Sequence, residues 1–289
     1  MKLVKFLIGA CVLLYLFAGC ALYFAQDSLV LFPGRDDPQA AFAAEHHFAL
    51  SRWTTAGNYR GLVAEPRTAP IKGTILVFHG NALSVNYRLF IAANLTPFGY
   101  RVVLAEYPGY GGRDGAATVR ALMASAEDDY RVATRNWPGT MILLSESFGG
   151  GLVAQIARRH GPEIAGLILI TPWDSLAALA QEKFRIFPAA WLLHERLDSV
   201  AALAGFARPV VVAAAENDEV IPASHAEALA GRLADATFFL MRGAAHNTWP
   251  QFVASENWAA WLALVEPQQQ MHADNSKPRA IADRRIAVP

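Results

Sequence analysis

Only two cysteines occur in 289 residues, Cys11 and Cys20, and both sit in one N-terminal apolar run, so the rest of the chain has no thiol and no material for a disulfide. Neither sign of charge predominates. The 25 Lys and Arg balance 25 Asp and Glu, and the basic residues are scattered, which leaves no electrostatic footprint for nucleic acid. There is no glycine-rich phosphate loop followed by a lysine and no dense cluster of His, Cys and Asp. Neither nucleotide nor metal chemistry is signalled, and no cofactor is expected. There is also no internal repeat.

Apolar sequence, by contrast, is plentiful. Hydrophobic residues make up 54% of the chain, enough to bury one large core in a single domain. Residues 6–25 form a run of about 20 uncharged positions after Lys2 and Lys5, long enough to cross a bilayer as a helix. Flanking lysines tend to stay cytoplasmic, which predicts that everything after Gln26 is extracytoplasmic, in a bacterium periplasmic. The run is longer than the apolar region of a cleaved signal peptide, so a retained anchor over residues 1–25 is expected. Ala18-Gly19-Cys20 leaves lipidation at Cys20 open, although Phe17 stands where a smaller aliphatic residue is usual.

Beyond the anchor, residues 26–38 read as an extended, proline-broken lead-in, and 47–50 and 59–64 as edge strands. Five apolar runs at 74–78, 101–105, 140–144, 166–170 and 209–215 alternate with segments of helical spacing at 83–96, 117–136, 149–159, 223–234 and 249–265. A further β-rich run lies at 237–241. Near-continuous apolar strands alternating with helices predict an α/β fold with a mostly parallel sheet covered on both faces. One domain is expected over 26–266, with a short lid insertion at 171–208 that leaves the site rather open, and a disordered polar tail over 267–289. Trp173, Phe184, Phe187, Pro188, Trp191 and Leu192 of the lid either pack on the domain or line an acyl-binding wall.

The run Leu143-Leu144-Ser145-Glu146-Ser147-Phe148-Gly149-Gly150 stops an apolar strand at a serine followed by glycines. This is the pattern of a nucleophile elbow, in which a strand turns sharply into a helix and the serine hydroxyl is exposed above the sheet. Gly149 keeps the trailing glycine of G-x-S-x-G, while Ser145 replaces the leading one. Asp218 follows the strand 209–215, and His246 sits in the small-residue loop after 237–241. The order Ser147, Asp218, His246 is that of an α/β-hydrolase triad. A serine hydroxyl is a weak nucleophile near neutral pH, so an imidazole must take its proton and a carboxylate must orient the ring. The oxyanion then needs backbone donors, for which Phe148 N–H and Asn81 N–H, after the strand 74–78, are the candidates.

Each residue also has a structural reading. Ser147 could be a turn residue, Asp218 a helix cap with Glu216 or Asp174 as the acid, and His246 a satisfied structural histidine. His79 reads as a structural group that holds the oxyanion loop.

Phe78-His79-Gly80-Asn81-Ala82, Glu106-Tyr107-Pro108-Gly109-Tyr110-Gly111-Gly112 and the elbow together resemble the Bem46-like branch of α/β-hydrolases, related to the ABHD13 and ABHD17 proteins. The likeness continues in Pro188 to Leu193, Asn217 to Pro222 and Gly243 to Asn247, and the departure is Ser145, where the family usually has glycine. The resemblance implies a serine hydrolase for carboxylic esters or thioesters, with small acyl-ester, lipid or acylated-protein substrates and a membrane as partner. Peptidases and catalytically dead binding scaffolds share the fold and stand as the alternatives.

Overall fold

Side chains of a strand point alternately to the two faces of its sheet, and in the central runs here both sets are apolar, so both faces must be covered. The computed structural model describes residues 1–35, 48–68, 70–266 and 285–288. Its strands are β1 (Phe32–Pro33), β2 (Phe48–Thr55), β3 (Asn58–Pro66), β4 (Gly73–Phe78), β5 (Ala82–Leu83), β6 (Tyr100–Ala105), β7 (Met141–Glu146), β8 (Gly166–Ile170), β9 (Val210–Ala215), β10 (Ala236–Met241) and β11 (Arg285–Val288). β1 and β5 pair with each other, and the other nine form one sheet of order β11-β10-β9-β8-β7-β4-β6-β3-β2. In that sheet β2 and β3 pair antiparallel, as do β3 and β6, and the remaining pairs are parallel. Leu76, Val103, Leu143 and Leu167 fill the core on one face, and Ile75, Val102, Ile142 and Ile168 fill the other. This is the α/β-hydrolase fold, with an apolar N-terminal helix in front of it.

The order of the strands positions the site. β4 has β6 on one side and β7 on the other, so the chain reverses direction of travel across the sheet at β4. Ligands in open α/β sheets bind beyond the carboxyl ends of the strands at such a switch point. The loop after β4 carries Asn81, and the turn after β7 carries Ser147.

The predicted elements differ from the observed ones in four places. The lead-in expected to be extended is helical as far as Val30, because α1 (Lys2–Val30) continues past the apolar run. Its polar residues find partners outside the helix: Gln26 Oε1 accepts from His194 N–H at 2.8 Å, and Asp27 Oδ1 accepts from Val119 N–H at 3.0 Å, at the start of the helix Val119–Asn136. The helix stops two residues short of Pro33, whose ring disfavours helical backbone at the residue before it. Next, the helix expected over 83–96 opens with β5 and a 3₁₀ turn, Val85–Arg88, before the α-helix Leu89–Leu95. The one expected over 249–265 is a 3₁₀ turn Trp249–Phe252 followed by the helix Ser255–Val265, consistent with Pro250 near its start. Finally, most of the tail expected to be disordered lies outside the described residues, but Arg285–Val288 pairs with Phe238 to Met241 as a parallel edge strand. Ile286 and Val288 are β-branched, a composition suited to a strand. Residues 36–38 and His47 also lie outside the described residues.

A buried ion network ties the antiparallel edge to the loop after β6. Asp129, its side chain wholly buried, receives Arg60 of β3 at 2.6 Å, Arg113 at 2.7 Å and the Ser125 hydroxyl at 3.0 Å. Arg113 also donates to the Glu106 carbonyl, which fixes the Tyr107 to Arg113 loop against the sheet. Removing one partner of such a network leaves uncompensated charge in a low-dielectric site. Asp129→Ala should therefore lower the free energy of unfolding by about 3 kcal/mol in a denaturant titration; a loss under about 1 kcal/mol would mean that the network carries little of the loop's stability.

Candidate active site

Ser147 has φ 51°, a left-handed backbone that a serine adopts only where its surroundings impose it. Its N–H donates to the Ile170 carbonyl at 2.8 Å, and the helix Gly149–His160 begins two residues later. The close approach behind the turn explains Gly149. A Cβ there would run into the carbonyl oxygens of Phe78 and His79. The leading position tolerates serine: Ser145 is fully buried, and a Cβ on Gly150 would still stand 3.7 Å from its Oγ.

Three residues far apart in sequence meet above the sheet. His246 Nε2 lies 3.0 Å from Ser147 Oγ, and His246 Nδ1 lies 2.7 Å from Asp218 Oδ2. The other oxygen of Asp218 accepts from the N–H groups of Val220 at 3.0 Å and Ile221 at 2.7 Å, which locks the carboxylate at the end of β9. All three residues are buried, at 5–8% relative exposure. The alternative acids are engaged elsewhere. Glu216 accepts from Gly243 N–H at 2.8 Å, and Asp174 faces His225 Nδ1 at 2.6 Å. Glu219 is exposed and accepts from the His246 N–H at 3.4 Å; its own N–H and that of His246 hold its carboxyl below the ordinary value.

Neither proposed oxyanion donor, Asn81 N–H nor Phe148 N–H, has an acceptor among the described residues, and both residues line the cavity at Ser147. The loop bearing Asn81 is braced by residues that sequence reasoning did not single out. Tyr107 O–H donates to the His79 carbonyl at 2.6 Å and Tyr110 O–H to the Asn81 carbonyl at 2.7 Å. Burial pushes both phenols up, which keeps them protonated as donors. His79 packs against Tyr107 and faces Glu106 Oε1 at 3.2 Å within the core, which fits the structural role expected of it. Glu106 in turn fills the space where a Cβ at Gly111 would stand, so the second glycine of the Tyr107 to Gly112 stretch is needed for room as well as for its φ of 51°. The signal for these residues was present in the Glu-Tyr-Pro-Gly-Tyr-Gly-Gly motif, but its chemistry becomes readable only once the loop lies beside β4.

A cavity of about 500 Å³ reaches Ser147. The insertion at 171–208 supplies one wall, including Trp173, Leu176, Leu179, Phe184 and Leu192, while Trp191 is 79% exposed. The short lid was expected to leave the site open. The cavity is partly open, and α1 supplies a further wall through Leu22, Gln26, Leu29 and Val30.

Comparison with known proteins agrees with the fold. A family model described as serine aminopeptidase, S33, matches residues 69–201, a stretch that contains Asn81 and Ser147 but stops short of Asp218 and His246. An uncharacterized protein of Mycobacterium tuberculosis is 29% identical over 192 residues, covering 63% of this chain and 66% of that protein. The lysophosphatidylserine lipase ABHD12 of Danio rerio is 26% identical, covering 51% of this chain and 44% of its own. The alpha/beta hydrolase domain-containing protein 17C of Xenopus laevis is 26% identical, covering 68% and 63%. The chain thus spans less than two thirds of the length of each of these relatives. Among solved structures, an esterase of Pyrococcus furiosus superposes with a TM-score of 0.60 at 15% identity over 81% of this chain and 97% of its own. Est1E of Butyrivibrio proteoclasticus, bound to ferulic acid, gives 0.58 at 16% identity over 76% and 100%. The chain thus has the α/β-hydrolase fold and is similar to esterases and lipases that share it. These likenesses support the superfamily and do not single out its Bem46-like branch.

The elbow's tight approach is open to a direct check. Gly149→Ala should cost about 2–3 kcal/mol of stability in thermal unfolding, the range for forcing a methyl into a packed site; a variant as stable as the parent would show that the turn has slack.

Proposed function

We propose that this chain is a membrane-anchored serine hydrolase that cleaves carboxylic esters or thioesters through an acyl-enzyme. The observation that carries the reading is the unbroken relay Ser147 Oγ, His246 Nε2, His246 Nδ1, Asp218 Oδ2, at 3.0 Å and 2.7 Å. His246 takes the Ser147 proton as the oxygen attacks the acyl carbonyl, and the charge that forms on the carbonyl oxygen is met by the N–H groups of Asn81 and Phe148. The tetrahedral intermediate collapses, His246 returns the proton to the leaving alcohol or thiol, and water repeats the sequence to release the acid. Asp218 keeps the Nδ1–H tautomer and stabilises the imidazolium.

The motif resemblance to the Bem46-like branch and the name of the zebrafish relative, a lysophosphatidylserine lipase, support lipid or acylated-protein substrates. The apolar α1 supports the anchor, and Lys2 and Lys5 at its start support a hydrolase domain on the extracytoplasmic side. Lipidation at Cys20 is the alternative mode of attachment. The family model's description favours a second reading, a serine peptidase, because the same relay attacks an amide carbonyl. Against a binding scaffold on a dead site stand the intact contacts of all three side chains.

The full-length protein should hydrolyse p-nitrophenyl acyl esters faster than aminoacyl p-nitroanilides and react with a fluorophosphonate probe. Ser147→Ala should lower kcat/KM for the ester by at least about 10⁴-fold, and Asp218→Asn by about 10³–10⁴-fold. Ester turnover by Ser147→Ala within tenfold of the parent would refute the nucleophile, and preferential cleavage of the anilides would favour the peptidase. For topology, a reporter fused after Pro289 that functions only outside the cytoplasm is expected; activity confined to the cytoplasm would reverse the orientation.

A further inference from the structure

A helix that served only as an anchor would have no use for a tyrosine hydroxyl in mid-span or for contact with the catalytic domain, and α1 has both. Tyr15, Gly19, Leu22, Gln26 and Leu29 recur at alternating spacings of four and three, which places them on one face of α1. That face meets the lid. Tyr15 O–H donates to the Ile186 carbonyl at 2.9 Å and its ring stacks on Phe187 at 4.9 Å. Gly19 lies beside Phe187, where a Cβ would still make only ordinary van der Waals contact at 3.9 Å. Gln26 bonds the lid at both ends of its amide, donating to the Leu192 carbonyl at 3.2 Å and accepting from His194 N–H at 2.8 Å. Polar groups that would be costly facing hydrocarbon are thereby satisfied, and the helix is registered against the lid.

Between these tethers the seam opens into the cavity that ends at Ser147. Leu22, Leu29 and Val30 line it together with Leu176 and Leu179. The polar groups at its margin are already engaged: Gln26 with the lid, and Lys183 Nζ with the Glu219 carbonyl at 2.8 Å. The cavity wall is therefore mostly hydrocarbon. We propose that the seam between α1 and the lid is the acyl-chain site, in which Leu22 and Leu29 set chain length, and that the substrate is an ester of a long unbranched acyl chain. The inference rests on the hydrolase reading above for the chemistry at Ser147, but the site itself is defined by apolar surface alone. Burial of hydrocarbon favours binding by roughly fourfold per methylene, so selectivity should climb steeply with chain length until the seam is filled.

The test uses the full-length protein in phospholipid nanodiscs. The parent should prefer p-nitrophenyl dodecanoate to the acetate in kcat/KM, and Leu22→Trp and Leu29→Trp should each lower that ratio at least tenfold. Leu13→Trp, on the exposed half of the same helix, should leave the ratio within twofold. A folding defect lowers both esters together and does not move the ratio. A second readout needs no turnover: fluorescence of cis-parinaric acid should report binding to the parent that weakens at least tenfold in Leu22→Trp. An unmoved ratio with unmoved parinaric acid binding, while Ser147-dependent turnover persists, would overturn the acyl site and leave the hydrolase reading standing. Absence of any Ser147-dependent turnover, with parinaric acid binding still sensitive to Leu22→Trp, would overturn the hydrolase reading and keep the site.

Discussion

The arrangement depends on one strained residue. Ser147 sits at positive φ, a conformation that costs of order 1–3 kcal/mol and persists only where the surroundings over-determine it. Here they do so from three sides. β7 is hydrogen-bonded between β4 and β8, the Ser147 N–H is held by Ile170 at the end of β8, and Gly149 lets the new helix press directly on the carbonyls of Phe78 and His79. If the turn relaxed, the hydroxyl would swing away from His246 and from the loop after β4. The switch in strand order matters for the same reason, since it sets the loops after β4 and β7 side by side.

The carboxylates near the site show how position rather than residue type assigns a role. Asp218 is locked by two backbone N–H groups and spends its second oxygen on His246. Glu216, two residues earlier, reaches the backbone of Gly243, and Asp174, four residues beyond β8, forms a separate cluster with His225 and Glu182. Of these acids, Asp218 alone is both buried and aligned with the imidazole of His246. A carboxylate in that position fixes the tautomer of His246, whereas Glu216 ties a loop and Asp174 pairs with a different histidine.

The central strands were legible in the sequence because short apolar runs bounded by turn residues suit strands that are covered on both faces, and β4, β6, β7, β8 and β9 fall within about two residues of where the pattern put them. Ser147, Asp218 and His246 were legible for a different reason: each follows a strand, in an order that one fold uses. What could not be read is what depends on distant partners. The extension of α1 to Val30 is stabilised by His194 and Val119, Asn81 is braced by Tyr110, and one wall of the cavity comes from a helix whose sequence looks only like a membrane span. The four-and-three stripe from Tyr15 to Leu29 was visible in the letters, but nothing local says which surface it meets. The edge strand β11 was hidden for the opposite reason, since its few β-branched residues follow a long polar stretch.

The first residues after the apolar helix are stitched to the loop beside the serine. Asn81 Nδ2 donates to the Val30 carbonyl at 2.5 Å, Phe32 N–H donates back to the Asn81 carbonyl at 2.8 Å, and β1 and β5 continue the pairing. Tension, tilt or displacement of that helix in a bilayer would thus be transmitted within two residues to a candidate oxyanion donor. Cutting the helix away would take the Val30 carbonyl from Asn81 Nδ2, so the helix end and the loop after β4 form a single mechanical unit.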